Sequence, residues 1–233
     1  MPNERDRTWA LGALLVSCSL LGTSYGGHFA QPKKITEANI GQVLRTRKRS
    51  ILQEFSKRLQ VLLDEGKQHA YKITSMPGPW QQAVETTFDH YDKVFVYIDA
   101  PYKREEYSRY YHILETLVKY NYPRSEGKGL LSSKESGERF ASEFFTKSTS
   151  RLHEAFRNMI STVIEKGWAC AWSYSNNGAV SMVDLIQDIN SSYDCDINIY
   201  HTPYYHMNHG RASKLGSRKS VTEYLIVFKP KTC

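Results

Sequence analysis

The chain has few cysteines and no pair of them. Cys18, Cys170, Cys195 and Cys233 lie far apart and no Cys-x-x-Cys occurs. Neither a disulfide framework nor a thiolate zinc site is suggested by this pattern, so reduced thiols in a cytoplasmic protein are expected. A Gly-x-x-x-x-Gly-Lys-Ser/Thr segment is also missing, which removes the common nucleoside triphosphatases. Ser173 and Ser175 invite comparison with a nucleophile, yet no Gly-x-Ser-x-Gly surrounds them, so hydrolase chemistry is not expected there. The apolar N-terminal run Trp9 to Leu21 has 13 residues, short of the roughly 20 that span a membrane. No internal repeat is visible.

That N-terminal run contains Leu15-Val16-Ser17-Cys18, a pattern at which bacterial lipoproteins are cleaved and acylated. The positive flank that an export signal needs is absent, because Glu4 and Asp6 offset Arg5 and Arg7. A buried helix is therefore the expectation, an exported lipoprotein the alternative, and no membrane association is anticipated.

What is present is ordinary in amount and uneven in charge. The 233 residues are 40% hydrophobic and 24% charged, enough for one large domain or two small ones. A net charge of +7 favours an anionic partner, of which nucleic acid is the commonest. Basic residues gather at Arg45, Arg47, Lys48 and Arg49, and again at Arg211, Lys214, Arg218 and Lys219 in a segment lacking acids. The second cluster is read as a phosphate-contacting hairpin that would suit a nucleic acid, with a merely solvated loop as the alternative. His201, His206 and His209 stand near Asp194, Cys195 and Asp196, but their spacing matches no zinc pattern and no metal is expected.

Periodicity organises the rest. Ile40, Val43, Leu44, Ile51, Phe55, Leu59, Leu62 and Leu63 recur at helical spacing, as one amphipathic helix or two. Residues 1–66 are expected to form an N-terminal helical segment. His69 to Thr74 reads as a strand, Pro79 to Phe88 as a helix, and Lys93 to Ile98 as a strand; Tyr107 to Tyr120 is a helix stopped by Asn121, Tyr122 and Pro123. Residues 124–148 are expected to be an exposed loop. Thr149 to Lys166 makes a helix ended by Gly167, followed by strand Trp168 to Ser173, a turn at Asn176-Asn177-Gly178, and a helix over Ala179 to Ile189. Strands over Cys195 to Tyr200 and Thr222 to Lys229 would pair as a long hairpin. The alternation predicts an α/β fold, a doubly wound, mostly parallel sheet with an antiparallel C-terminal hairpin.

The most informative segment is Asp99-Ala100-Pro101-Tyr102, directly after Val94-Phe95-Val96-Tyr97-Ile98. An apolar run that stops at an acid and a proline reads as a buried strand with a rigid polar tip, and in open α/β sheets ligands bind at such tips. A carboxylate, main-chain carbonyls and an aromatic ring there suit an amino group on a planar heterocycle.

With this tip, the helix Tyr107-Ser108-Arg109-Tyr110-Tyr111-His112-Ile113-Leu114-Glu115-Thr116-Leu117, and the later segments Arg139-Phe140-Ala141-Ser142-Glu143-Phe144, Trp172-Ser173-Tyr174-Ser175 and Glu223-Tyr224-Leu225, the chain resembles the D12-class adenine-specific DNA methyltransferases over about residues 70 to 230. The resemblance implies a three-layer, Rossmann-like methyltransferase sheet over residues 67–233 and S-adenosylmethionine as cofactor. It also implies a target adenine flipped out of double-stranded DNA. Asp99 and the Ala100 carbonyl would accept hydrogen bonds from adenine N6, Pro101 would stiffen the tip, and Tyr102 would stack on the base. Two departures stand out. Ala100 replaces the family's proline, keeping the carbonyl and losing rigidity. The strand ending in an acid before Phe-x-Gly-x-Gly, which cradles the cofactor, is not found; Gly22 to Gly27 follows a helix and reads as a turn. The sheet is therefore expected to be incomplete at its N-terminal side, as a truncated or split C-terminal portion with a complementing N-terminal half. The rival is a non-catalytic DNA-binding remnant.

Overall fold

The structure is a computed structural model that describes residues 4–24, 29, 33–68, 74–86, 91, 93–101, 106–126, 131–133, 139, 142–206 and 219–231. In chain order the elements are α1 (Glu4–Leu21), α2 (Ile40–Arg47), α3 (Ile51–Gln68), α4 (Trp80–Glu85), β1 (Phe95–Ile98), α5 (Ser108–Lys119), β2 (Ser125–Glu126), β3 (Leu131–Ser132), α6 (Thr149–Glu165), β4 (Ala169–Ser175), α7 (Met182–Ser192), β5 (Cys195–His206) and β6 (Lys219–Pro230). Long-range contacts gather them into two compact units, Met1–Thr74 with Glu106–Phe140 and Ser75–Glu105 with Ala141–Cys233. The strand expected over His69 to Thr74 falls mostly outside the described residues.

In the first unit, α1 lies along α3. Ala13 and Ser17, one turn apart on α1, are fully buried, and the Ser17 hydroxyl donates to the Ala13 carbonyl at 2.7 Å. Burial is limited to that stripe: Val16 and Leu20 stay 46% and 40% exposed, so the expected buried helix is a half-covered one. The helical pattern over residues 40–63 resolves into two helices, α2 and α3. At their junction Arg49 donates to Glu54 at 2.6 Å, and that hydrogen bond is the main cause holding the Glu54 carboxyl below its ordinary value. Within residues 124–148 the described residues include a short ribbon. β2 and β3 pair antiparallel, Arg139 Nε donates to the Ser132 carbonyl at 2.7 Å, and its guanidinium lies 3.7 Å from Glu106.

The second unit is built on a four-stranded sheet in the order β1-β4-β6-β5. β1 and β4 are parallel, and β6 lies antiparallel to both β4 and β5. Three strands thus point one way and β6 opposes them, giving a mixed α/β sheet whose hairpin is longer than the periodicity predicted. Registers Cys170↔Phe228, Trp172↔Ile226 and Tyr174↔Tyr224 put one row of large residues on one face. Against this row α6 lays Leu152, Phe156, Ile160 and Val163, all fully buried or nearly so. Phe156 is the hub, with ring centroids 5.0 Å from Phe144, 5.1 Å from Trp172 and 5.4 Å from Tyr174. Burial of each such ring contributes about 1.5–3 kcal/mol as an upper estimate.

Helix ends follow sequence chemistry. The Ser148 hydroxyl accepts from the Arg151 amide at 3.3 Å at the start of α6, and Ser181 does the same for the Asp184 amide before α7. Gly167, at φ 74°, closes α6: its amide donates to Ile164 and that of Trp168 to Val163, at 2.8 and 3.2 Å. Because Ser181 is the cap, α7 begins three residues later than the expected Ala179. No described helix is long and apolar enough to cross a membrane.

Candidate active site

The sequence reads β1 as a buried strand. Instead Ile98 is buried at 3% exposure while Phe95 and Tyr97 are 60% and 59% exposed. β1 has a strand partner on one side only among the described residues, and strand alternation sends Phe95 and Tyr97 to the face away from the Phe156 core. The tip beyond it is graded in depth: Asp99 is exposed, Ala100 is buried within the core cluster, and Pro101 is half-buried. The carboxylate therefore faces outward from an anchored backbone. Tyr102 lies outside the described residues.

The parallel register places Trp172 opposite Ile98. Asp99-Ala100-Pro101 consequently ends beside Ser173-Tyr174-Ser175 at the C-terminal end of β4, where a crevice for a ligand forms in parallel sheets. The structure brings these two sequence segments together. It also braces the second of them. The Asn176 amide donates to the Thr222 carbonyl and the Thr222 amide to Asn176 Oδ1, both at 3.1 Å, tying the β4 tip to β6. The Gly178 amide donates to the Ser175 carbonyl at 2.9 Å, and the Val180 amide to the Tyr174 hydroxyl at 2.9 Å. Burial pushes the Tyr174 phenol up, opposed by amide hydrogen bonds from Val180 and Ala179. Glu223, opposite Ser175, adds a carboxylate to the same end of the sheet.

Sequence reasoning gave Asn176 a turn but not its tie to β6, and gave Trp80 no role. The Trp80 indole donates to Glu143, which also accepts from Gln81 Nε2 at 3.2 Å, fastening α4 to the segment before α6. From that segment Ser142, Glu143, Phe145 and Thr146 line an open cleft of about 410 Å³ with Arg151, Glu154 and Asn158. Asp99, Ala100 and Pro101 are not among its lining residues. Gly22-Thr23-Ser24 opens a Gly-x-Ser-x-Gly pattern, but Ser24 is buried and follows α1 rather than a strand, so no nucleophile elbow is built.

Of the residues expected to touch DNA, Arg211, Lys214 and Arg218 lie outside the described residues. Lys219 opens β6 opposite His206. No group of three or more His, Cys, Asp or Glu suited to a metal converges among the described residues. Cys18, Cys170 and Cys195 are free thiols.

No family model and no solved structure matches the chain. It is similar to the modification methylase LlaI of Lactococcus lactis subsp. lactis, at 28% identity over an alignment 140 residues long that covers 57% of this chain and 20% of that protein. The similarity thus reaches one modification methylase and spans about a fifth of its length.

Proposed function

We propose that the chain is the C-terminal, target-base portion of an adenine-specific DNA methyltransferase that transfers a methyl group from S-adenosylmethionine to adenine N6. The observation that carries this reading is the placement of Asp99-Ala100-Pro101 at a parallel strand tip beside Ser173-Tyr174-Ser175, and the similarity to a modification methylase supports it. In this reading the four strands are the C-terminal part of a three-layer methyltransferase-like sheet, residues 67–233 are the catalytic portion, and the protein works in the cytoplasm.

Asp99 and the Ala100 carbonyl have the chemistry to hold the amino group of an extruded adenine. Two acceptors on the N6 protons fix the plane of the amino group and leave its lone pair directed at the methyl donor, and accepting those protons raises the nitrogen's nucleophilicity. The anchored backbone at Ala100 supplies the positioning, which is most of the catalysis in such a transfer. Tyr102 would stack on the base, and Arg211, Lys214, Arg218 and Lys219 would hold phosphates. Extruding the base costs a few kcal/mol, offset by that enclosure.

The described residues do not fit S-adenosylmethionine. A glycine cradle after a strand leaves room where a side chain would be. Gly178, three residues past β4, has that space filled: a Cβ there would sit 2.3 Å from the Tyr174 ring. Gly167 is the cap of α6, and Gly78 stands against Gln82. We therefore assign cofactor binding to a complementing N-terminal half.

The test is transfer of tritium from labelled S-adenosylmethionine to unmethylated DNA, with the chain supplied together with a segment encoding Phe-x-Gly-x-Gly from the adjoining reading frame. Label is expected at adenine N6, and Asp99→Ala should cut the rate about 10²–10³-fold with unchanged circular dichroism. Label in cytosine, or a rate indifferent to Asp99→Ala, would overturn the reading.

A further inference from the structure

We propose that Tyr120 and Tyr122 form a stacking wedge for the bases of DNA, on the turn between α5 and β2. The choice of DNA rests on the function proposed above; the site itself rests on its own geometry. Tyr120 is 80% exposed and Tyr122 is 83% exposed, the two highest values among the exposed large hydrophobic residues of the described chain. Their rings touch edge to face, centroids 5.9 Å apart at 64°. The contact leaves both rings in water, so it supplies little of the burial for which proteins keep aromatic residues.

The backbone gives the second observation. Tyr120 sits at φ 51°, ψ 39°, the left-handed conformation that ends α5 and that glycine or asparagine normally takes. It is the one non-glycine residue with positive φ in the described chain. Asn121 is the next residue, so one step of register would have put a favoured type at the cap. A bulky ring in a strained position is a place to look for function. The Tyr120 ring stands exposed on this left-handed residue, and Pro123 stiffens the chain just after Tyr122.

Charge selects the occupant. Lys119 precedes the pair, half exposed and 3.5 Å from Glu115, and exposed Arg124 follows it. Two π faces between two cations match alternating bases and phosphates of a nucleic acid, whereas an apolar protein partner would leave those cations beside a greasy patch. Rings of this kind wedge between base steps and partly unstack them.

The experiment measures binding of a fluorescein-labelled mixed-sequence duplex by anisotropy, alongside thermal unfolding. Tyr120→Gly removes a ring and relieves the backbone, so the melting temperature should hold or rise while affinity falls about tenfold, the effect of losing one stacked base. Tyr120→Gly with Tyr122→Ala should fall further with an unchanged salt slope, since no phosphate contact is lost. Phe at both positions should restore binding. Equal affinity for wild type and the double variant would overturn this inference and leave the methyltransferase reading intact. Absence of DNA binding by the wild type would overturn both. Joint loss of stability and affinity in Tyr120→Gly, not restored by Phe, would mark the tyrosines as structural and overturn the wedge.

Discussion

Gly178 is small because of a single neighbour. A Cβ there would lie 2.3 Å from the Tyr174 ring, which is itself fixed by the Val180 amide and by the Phe156 and Trp172 rings. Gly178→Ala should destabilise by roughly 1–3 kcal/mol, the usual cost of overpacking, measured as a lower urea midpoint. Cys170 carries a pH prediction. Burial first, and Cys195 second, push its thiol up to about 12 from an ordinary 9.0. Below pH 9 neither state is ionised and stability is full. Between 9 and 12 the unfolded chain sheds a proton that the native thiol keeps, so stability falls as pH rises. Cys195 and Tyr174, also pushed up by burial, act with the same sign. Urea midpoints taken from pH 8 to pH 11 should fall, less steeply in Cys170→Ala. At this scale the sequence was legible where chemistry is local: an acid and a proline stop a strand at Asp99, and Asn176-Asn177-Gly178 turns. It was not legible where a face must be chosen. Nothing in Val94 to Ile98 says that Phe95 and Tyr97 point away from the core, because every residue of that run is apolar.

Among the elements, α1 is held by contacts that the sequence leaves improvable. Gly12 lies in mid-helix, and a Cβ there would meet Leu62 Cδ1 at 4.0 Å, an ordinary contact. Gly12→Ala should therefore stabilise by about 0.5–1 kcal/mol through helix propensity, visible as a raised melting temperature. The ends of α6 and α7 were legible because caps are local: Ser148, Gly167 and Ser181 sit next to what they satisfy. The β2–β3 pair was not, since two residues on each side carry no period, and Arg139 fixes the ribbon through a carbonyl seven residues away.

For the whole second unit, β6 is the member on which the sheet depends. It is the only described strand bonded on both edges by antiparallel ladders, and Ile226 and Phe228 are fully buried. Amide exchange should be slowest at Leu225 to Phe228 and faster at Phe95 and Tyr97; the reverse order would contradict the topology. The hairpin was legible as two β-rich runs, whereas the insertion of β6 between β4 and β5 is a long-range choice without a local mark. This insertion sets a timetable. As the ribosome makes the chain, β4 and β5 both emerge with no bond to each other, and their shared neighbour comes after them. Until residues 219–230 are out, the row of Cys170, Trp172 and Tyr174 has no Phe228, Ile226 and Tyr224 to meet. From the emergence of β4 until β6 arrives, the nascent chain therefore carries an unpaired strand edge along that row, open to pairing with other chains.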